Sequence, residues 1–80
     1  MKVHELKTIP PYFDAVYSGQ KTFEFRKDDR GFQVGDWLFL KEYIPTENDY
    51  TGRECMVKVT YILRDFAGIE SGYVIMAVHK

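Results

Sequence analysis

Lys21, Glu24 and Arg26 lie in one short run, Gly19-Gln20-Lys21-Thr22-Phe23-Glu24-Phe25-Arg26. On an extended strand Glu24 and Arg26 share a face, about 7 Å apart along the chain. Lys21 sits at the strand's start, beside a glycine suited to ending a helix. A guanidinium grips a phosphate or stacks on a base, and a carboxylate accepts from an exocyclic amine. An ammonium beside a carboxylate is also an acid–base pair. The plain alternative is a solvated, salt-bridged strand face that contributes little. From Lys21 to Arg30 there are four basic residues (Lys21, Arg26, Lys27, Arg30) and three acidic ones (Glu24, Asp28, Asp29), a slight surplus for a phosphate track. Tyr12, Tyr17 and Tyr43 are the candidate rings for stacking on a base, with ordinary rim packing as the alternative.

The other reactive residue types point away from chemistry. His4 and His79 lie at opposite ends without ligand spacing, so no metal site and no cofactor is expected. Cys55 has no partner for an intramolecular disulfide and sits in an alternating apolar run, as a packed thiol in a reducing compartment would. No Gly-rich phosphate loop, dinucleotide fingerprint or nucleophile elbow is present. Asp36 after Gly35 reads as a turn-capping acid.

The elements that must position Lys21, Glu24 and Arg26 follow from periodicity. Val3 to Lys7 is a first strand. Thr8 is a candidate helix cap, and prolines at 10 and 11 suit a first helical turn. Residues 10–17 form a short helix with Phe13, Val16 and Tyr17 as its apolar stripe. Lys21 to Arg26 alternates strictly, and the pattern predicts Phe23 and Phe25 in the core. Lys27 to Gly31 is a charged turn, and Phe32 to Asp36 re-enters the sheet. Trp37 to Tyr43 is a strand, Ile44 to Gly52 a loop, Arg53 to Phe66 a long bent strand, Ala67 to Gly72 a turn, and Tyr73 to His79 the last strand. Leu38, Leu40, Val57, Val59, Ile75 or its neighbours, and part of Trp37 complete the expected core. Five strands in so short a chain favour closure into a small barrel, which removes exposed edges.

The chain has 80 residues, 45% hydrophobic and 16% aromatic, with 11 basic against 12 acidic side chains. That is one globular α+β domain over residues 1–80, not a disordered chain. A net charge of −1 offers no global attraction to phosphate, so any nucleic-acid contact must be local. No apolar run reaches the ~20 residues needed to span a membrane. Without an apolar leader core at the N-terminus, a cytoplasmic location is expected.

The run from Gly19 to Arg26 resembles the G-x-K-x-x-E-x-R signature of the ASCH superfamily, which is related to PUA domains. His4-Glu5-Leu6-Lys7, Arg26-Lys27-x-Asp29-Arg30, Val34-Gly35-Asp36, Leu40-Lys41-Glu42-Tyr43, Tyr50-Thr51-Gly52-Arg53 and Val57-x-Val59-Thr60-Tyr61-Ile62-Leu63 extend the likeness to a small, uncharacterised ASCH-like family of bacterial and phage proteins. The resemblance implies a PUA-like β-barrel with a cleft between helix and barrel, lined by the signature segment and binding RNA or nucleotide-like ligands. One branch hydrolyses N4-acetylcytidine with a Lys, a Thr three residues later and a distant Glu. By position the Lys is Lys21, Glu24 occupies the Thr position, and Glu70 is nearest by order to the distant Glu. Three readings therefore stand. One is a binding module using Lys21, Glu24, Arg26, Tyr12 and Tyr17. The second is a small amidohydrolase using Lys21 and Glu24. The third is a protein-interaction domain without a ligand. The missing hydroxyl at position 24 favours the first.

Overall fold

A computed structural model describes all 80 residues. The order is β1 (Val3–Thr8), α1 (Pro10–Tyr17), β2 (Phe23–Lys27), β3 (Trp37–Ile44), β4 (Asp49–Arg64) and β5 (Tyr73–His79). The strands form one sheet in the order β1-β3-β4-β5-β2, with β1 parallel to β3 and the other neighbours antiparallel. The sheet curls into a half-barrel. No backbone ladder joins β1 to β2, so both keep a free edge and the expected closure is incomplete.

The curl is carried by β4. Its first half pairs with β3 and its second half with β5, and the register shifts between Val59 and Tyr61. An extra residue at such a bulge bends and twists the strand. The β3–β4 loop is shorter than the sequence suggests. It spans only residues 45–48, because β4 already starts at Asp49 and pairs with Ile44. At its far end β4 stops at Arg64, before Phe66.

Leu6, Leu38, Leu40, Cys55, Val57, Val59, Val74, Met76 and Val78 make the inner face, and Phe13, Val16 and Phe32 cover it. Burial pushes the Cys55 thiol above its ordinary value, as for an inert core cysteine. Phe23 and Phe25 are not in this core; they are 47% and 53% exposed. Glu24 faces inward instead. The register explains the reversal, since Glu24 stands opposite Met76, which is fully buried, while Phe23 and Phe25 stand opposite Ala77 and Ile75. A strand's faces alternate strictly, so one inward residue fixes the rest. Of the last strand's residues, Val74 and Met76 are buried and Ile75 is only half-buried, as is Trp37. Phe32 is a core residue lying in a loop, since residues 28–36 do not form a strand.

The helix begins without a side-chain cap: Ile9 is its N-cap. Thr8 instead ends β1 and is buried. Phe13 and Val16 pack inward, whereas Tyr17 is half exposed and stacks on Phe13 at 5.8 Å. Gly19 takes φ +87°, the left-handed geometry that ends the helix and turns the chain into β2.

Asp36 pins the other end of the sheet. One carboxylate oxygen accepts from the Lys2 N–H at 3.0 Å, and the other from the Gln33 N–H at 3.0 Å and from buried His4 at 2.8 Å. Its main chain ties to the β4 bend, where the Val59 N–H donates to the Asp36 carbonyl at 2.8 Å. Burial alone would raise the Asp36 carboxyl, but the His4 contact and the two backbone N–H donors outweigh it and hold it below 3.8. The stabilisation is therefore complete above that value and is lost as pH falls through the lower folded value. Urea denaturation of the wild type should show this acid-side loss. Asp36→Asn should flatten it, and should cost about 1–3 kcal/mol at neutral pH through the weakened partners.

Candidate functional site

The two free edges of the half-barrel face each other across a seam. Side chains bridge it in place of a backbone ladder. Glu24 projects inward from β2 and is 2% exposed. Lys21 donates to its Oε2 at 2.8 Å, and Arg26 Nε donates to its Oε1 at 2.9 Å. Lys21 reaches from the α1–β2 turn, where its backbone N–H donates to the Ala15 carbonyl at 2.8 Å and so ties that turn to the helix. Arg26 then crosses to β1, with Nη1 donating to the Lys7 carbonyl at 3.1 Å and Nη2 to the Thr8 hydroxyl at 3.1 Å. Two residues earlier on the same edge of β1, Arg30 Nη1 donates to the Glu5 carbonyl at 3.0 Å.

At this seam lies a pocket of about 500 Å³ lined by Lys7, Thr8, Ile9, Tyr12, Lys21 and the consecutive residues Phe23 to Arg26. Both faces of β2 contribute because the pocket sits at that strand's free edge. Three cations face one carboxylate, on a chain whose overall charge is −1. Lys21 Nζ lies 5.1 Å from the Phe23 ring centre and 5.7 Å from that of Tyr12, within cation–π range. The rim is thus aromatic and the floor cationic.

The chemistry follows from which donors remain. Arg26 has five N–H donors and Lys21 three. The internal bonds leave N–H groups on both, while both Glu24 oxygens are already engaged. Glu24 therefore orients the two cations, and the cations are what a ligand meets. The arrangement sets cationic N–H donors beside aromatic rings. No group of three or more metal-ligating side chains is present.

Four of the sequence-predicted site residues, Lys21, Glu24, Arg26 and Tyr12, come together here. Tyr17 lies elsewhere: its carbonyl accepts from Lys80, and Lys80 and Arg53 lie over its ring. Tyr43 is not in the lining either, although Lys7 Nζ sits 4.4 Å from its ring centre. Glu70 does not line the pocket. Sequence reasoning missed Lys7, Thr8 and Ile9, which precede the helix and approach β2 only through the fold. It also missed Phe23 and Phe25, assigned to the core because they alternate with charges.

The fold and pocket define a small α+β domain with a polar seam site. The chain belongs to the family described as Domain of unknown function (DUF3850), whose model matches residues 3–78. It is similar to an uncharacterized 12.9 kDa protein from the GpA 3′ region of Escherichia phage P2, 42% identical over 59 residues. That alignment covers 74% of this chain and 52% of the phage protein, so the chain spans about half the length of the relative it matches. No helix is long and apolar enough to cross a membrane.

Glu24→Ala should leave Lys21 and Arg26 facing each other without their shared counter-ion. The cations keep partial solvation, so the expected loss is about 1.5–3 kcal/mol, below that for a fully buried pair. A urea midpoint unchanged by this substitution would show that the bridge contributes no stability.

Proposed function

We propose that the seam pocket binds a nucleotide or a short RNA segment without turning it over, in a half-barrel of the PUA-like, ASCH-type class. The observation that carries this reading is the cationic pair held by buried Glu24 beneath exposed Tyr12, Phe23 and Phe25. Lys21 and Arg26 meet a phosphate, and the rings receive a base. The energetics of β2 support a ligand as well. Fully burying a Phe is worth about 1.5–3 kcal/mol, so an inward Glu24 with Phe23 and Phe25 each about half exposed gives up about 1.5–3 kcal/mol of apolar burial. Folds break a local rule of this kind mainly at functional sites.

A second reading, amidohydrolysis of a modified nucleobase such as N4-acetylcytidine, draws on one observation. Thr8 brings a hydroxyl into the pocket that holds Lys21, although position 24 has none. Binding remains the favoured reading because Thr8 is 3% exposed and its hydroxyl already accepts from Arg26.

Nucleosides, nucleotides and short RNAs should raise the melting temperature, since a ligand selective for the native state stabilises it. Arg26→Ala and Lys21→Ala should each weaken binding about 10- to 150-fold, the loss of one charge-assisted hydrogen bond. N4-acetylcytidine should survive incubation with the protein. Its deacetylation, lost in Lys21→Ala, would replace binding with catalysis. Neither turnover nor nucleotide binding would leave an interaction domain whose bridge is a salt-bridged strand face.

A further inference from the structure

A second pocket, of about 310 Å³, adjoins the first and is lined by Glu5, Leu6, Lys7, Arg26, Arg30 and Tyr50. The two pockets share Lys7 and Arg26. They therefore adjoin along the free edge of β1, as two halves of a groove that meet where Arg26 crosses the seam beside Lys7. The guanidinium groups of Arg26 and Arg30 are spaced by the strand they grip. They hold the Lys7 and Glu5 carbonyls, two residues apart, which is about 7 Å on an extended strand. That interval is comparable to one nucleotide step in an extended single strand. Each guanidinium retains N–H donors after its bond to β1.

The second pocket also has its own ring. Tyr50 is partly exposed and meets Tyr43 edge-on at 5.1 Å. Lys41 Nζ lies 4.8 Å from the Tyr50 ring centre, and Lys7 Nζ lies over Tyr43. These contacts hold the Tyr50 ring and the Lys7 ammonium in place before any ligand arrives. Each half of the groove thus pairs cations with an aromatic platform, and the shared cations sit where a linking phosphate would pass.

We propose that the groove recognises two consecutive nucleotides of a single-stranded nucleic acid: one base against Tyr12, Phe23 and Phe25, the linking phosphate at Lys7 and Arg26, and the next nucleotide against Arg30 and Tyr50. This rests on the nucleotide-binding reading of the first pocket. A net charge of −1 gives no global attraction to a long polyanion, so recognition is short and local.

Calorimetric titration tests it, with the four nucleoside 5′-monophosphates and the matching 5′-phosphorylated dinucleotides in ribo and deoxy forms. The dinucleotides should bind about tenfold or more tightly than their monophosphates. Dinucleotide affinity should also fall more steeply with salt than monophosphate affinity, because one more phosphate is neutralised. Arg30→Ala and Tyr50→Ala should each lower dinucleotide affinity about tenfold more than monophosphate affinity. Tyr50→Ala decides the matter if Arg30→Ala does not fold. A preference between the sugars identifies the strand as RNA or DNA, and either satisfies the proposal. Equal affinity and equal salt slope for one and two nucleotides would overturn it while leaving the first pocket's role intact. Absence of binding to either would overturn both.

Discussion

A carboxylate shared between two cations organises this molecule. Glu24 is buried only because Lys21 and Arg26 each occupy one of its oxygens. An unpaired charge in that place would cost several kcal/mol. The pair of bonds therefore selects one register for β2, with the carboxylate in and two phenylalanines out. Slipping the register by one residue would bury Phe23 and Phe25 and expose Glu24. That alternative buries more apolar surface, yet it would separate Lys21 from Arg26 and empty the seam of its charged floor.

The seam is also how the fold manages its edges. A half-barrel leaves two strands with unpaired backbone groups, which invite pairing with another chain. Here guanidinium donors satisfy two β1 carbonyls, at Glu5 and Lys7. One side chain, Arg26, thereby does three things: it holds Glu24, it crosses the seam, and it presents donors to the pocket. No buried side-chain polar atom is left without a partner, so what remains unspent lies on the groove surface. At the opposite end Asp36 has the matching role, joining β1, the 28–36 loop and the β4 bend. The sheet can then stay open along one side without loosening as a whole.

Some of this was legible in residues and spacing. The helix over 10–17 follows from paired prolines, an apolar stripe and a terminating glycine, all of which act locally. The grouping of Lys21, Glu24 and Arg26 follows from strand geometry and the turn before it. Thr8 shows the limit of local reading. It has the residue type of a helix cap, but the fold uses its hydroxyl to accept from Arg26 instead. Tyr17 shows the same limit, because a helical stripe says which residues share a side and not how far the core extends.

By itself the sequence determined the number and order of the elements, the short helix, and the presence of a charged triad where α1 gives way to β2. Those depend on interactions between residues near in the chain. Only the tertiary structure decided which face of β2 points inward. Tyr73, Val74, Ile75, Met76, Ala77 and Val78 are apolar on both faces of β5, so nothing local distinguishes them. Pairing with β4 on one side and β2 on the other makes Val74, Met76 and Val78 the inner set and places Glu24 among them. The site exists because residues far apart in sequence, Lys7 and Thr8 on one edge and Glu24 and Arg26 on the other, meet across a gap that the sheet's curl brings together and its backbone does not close.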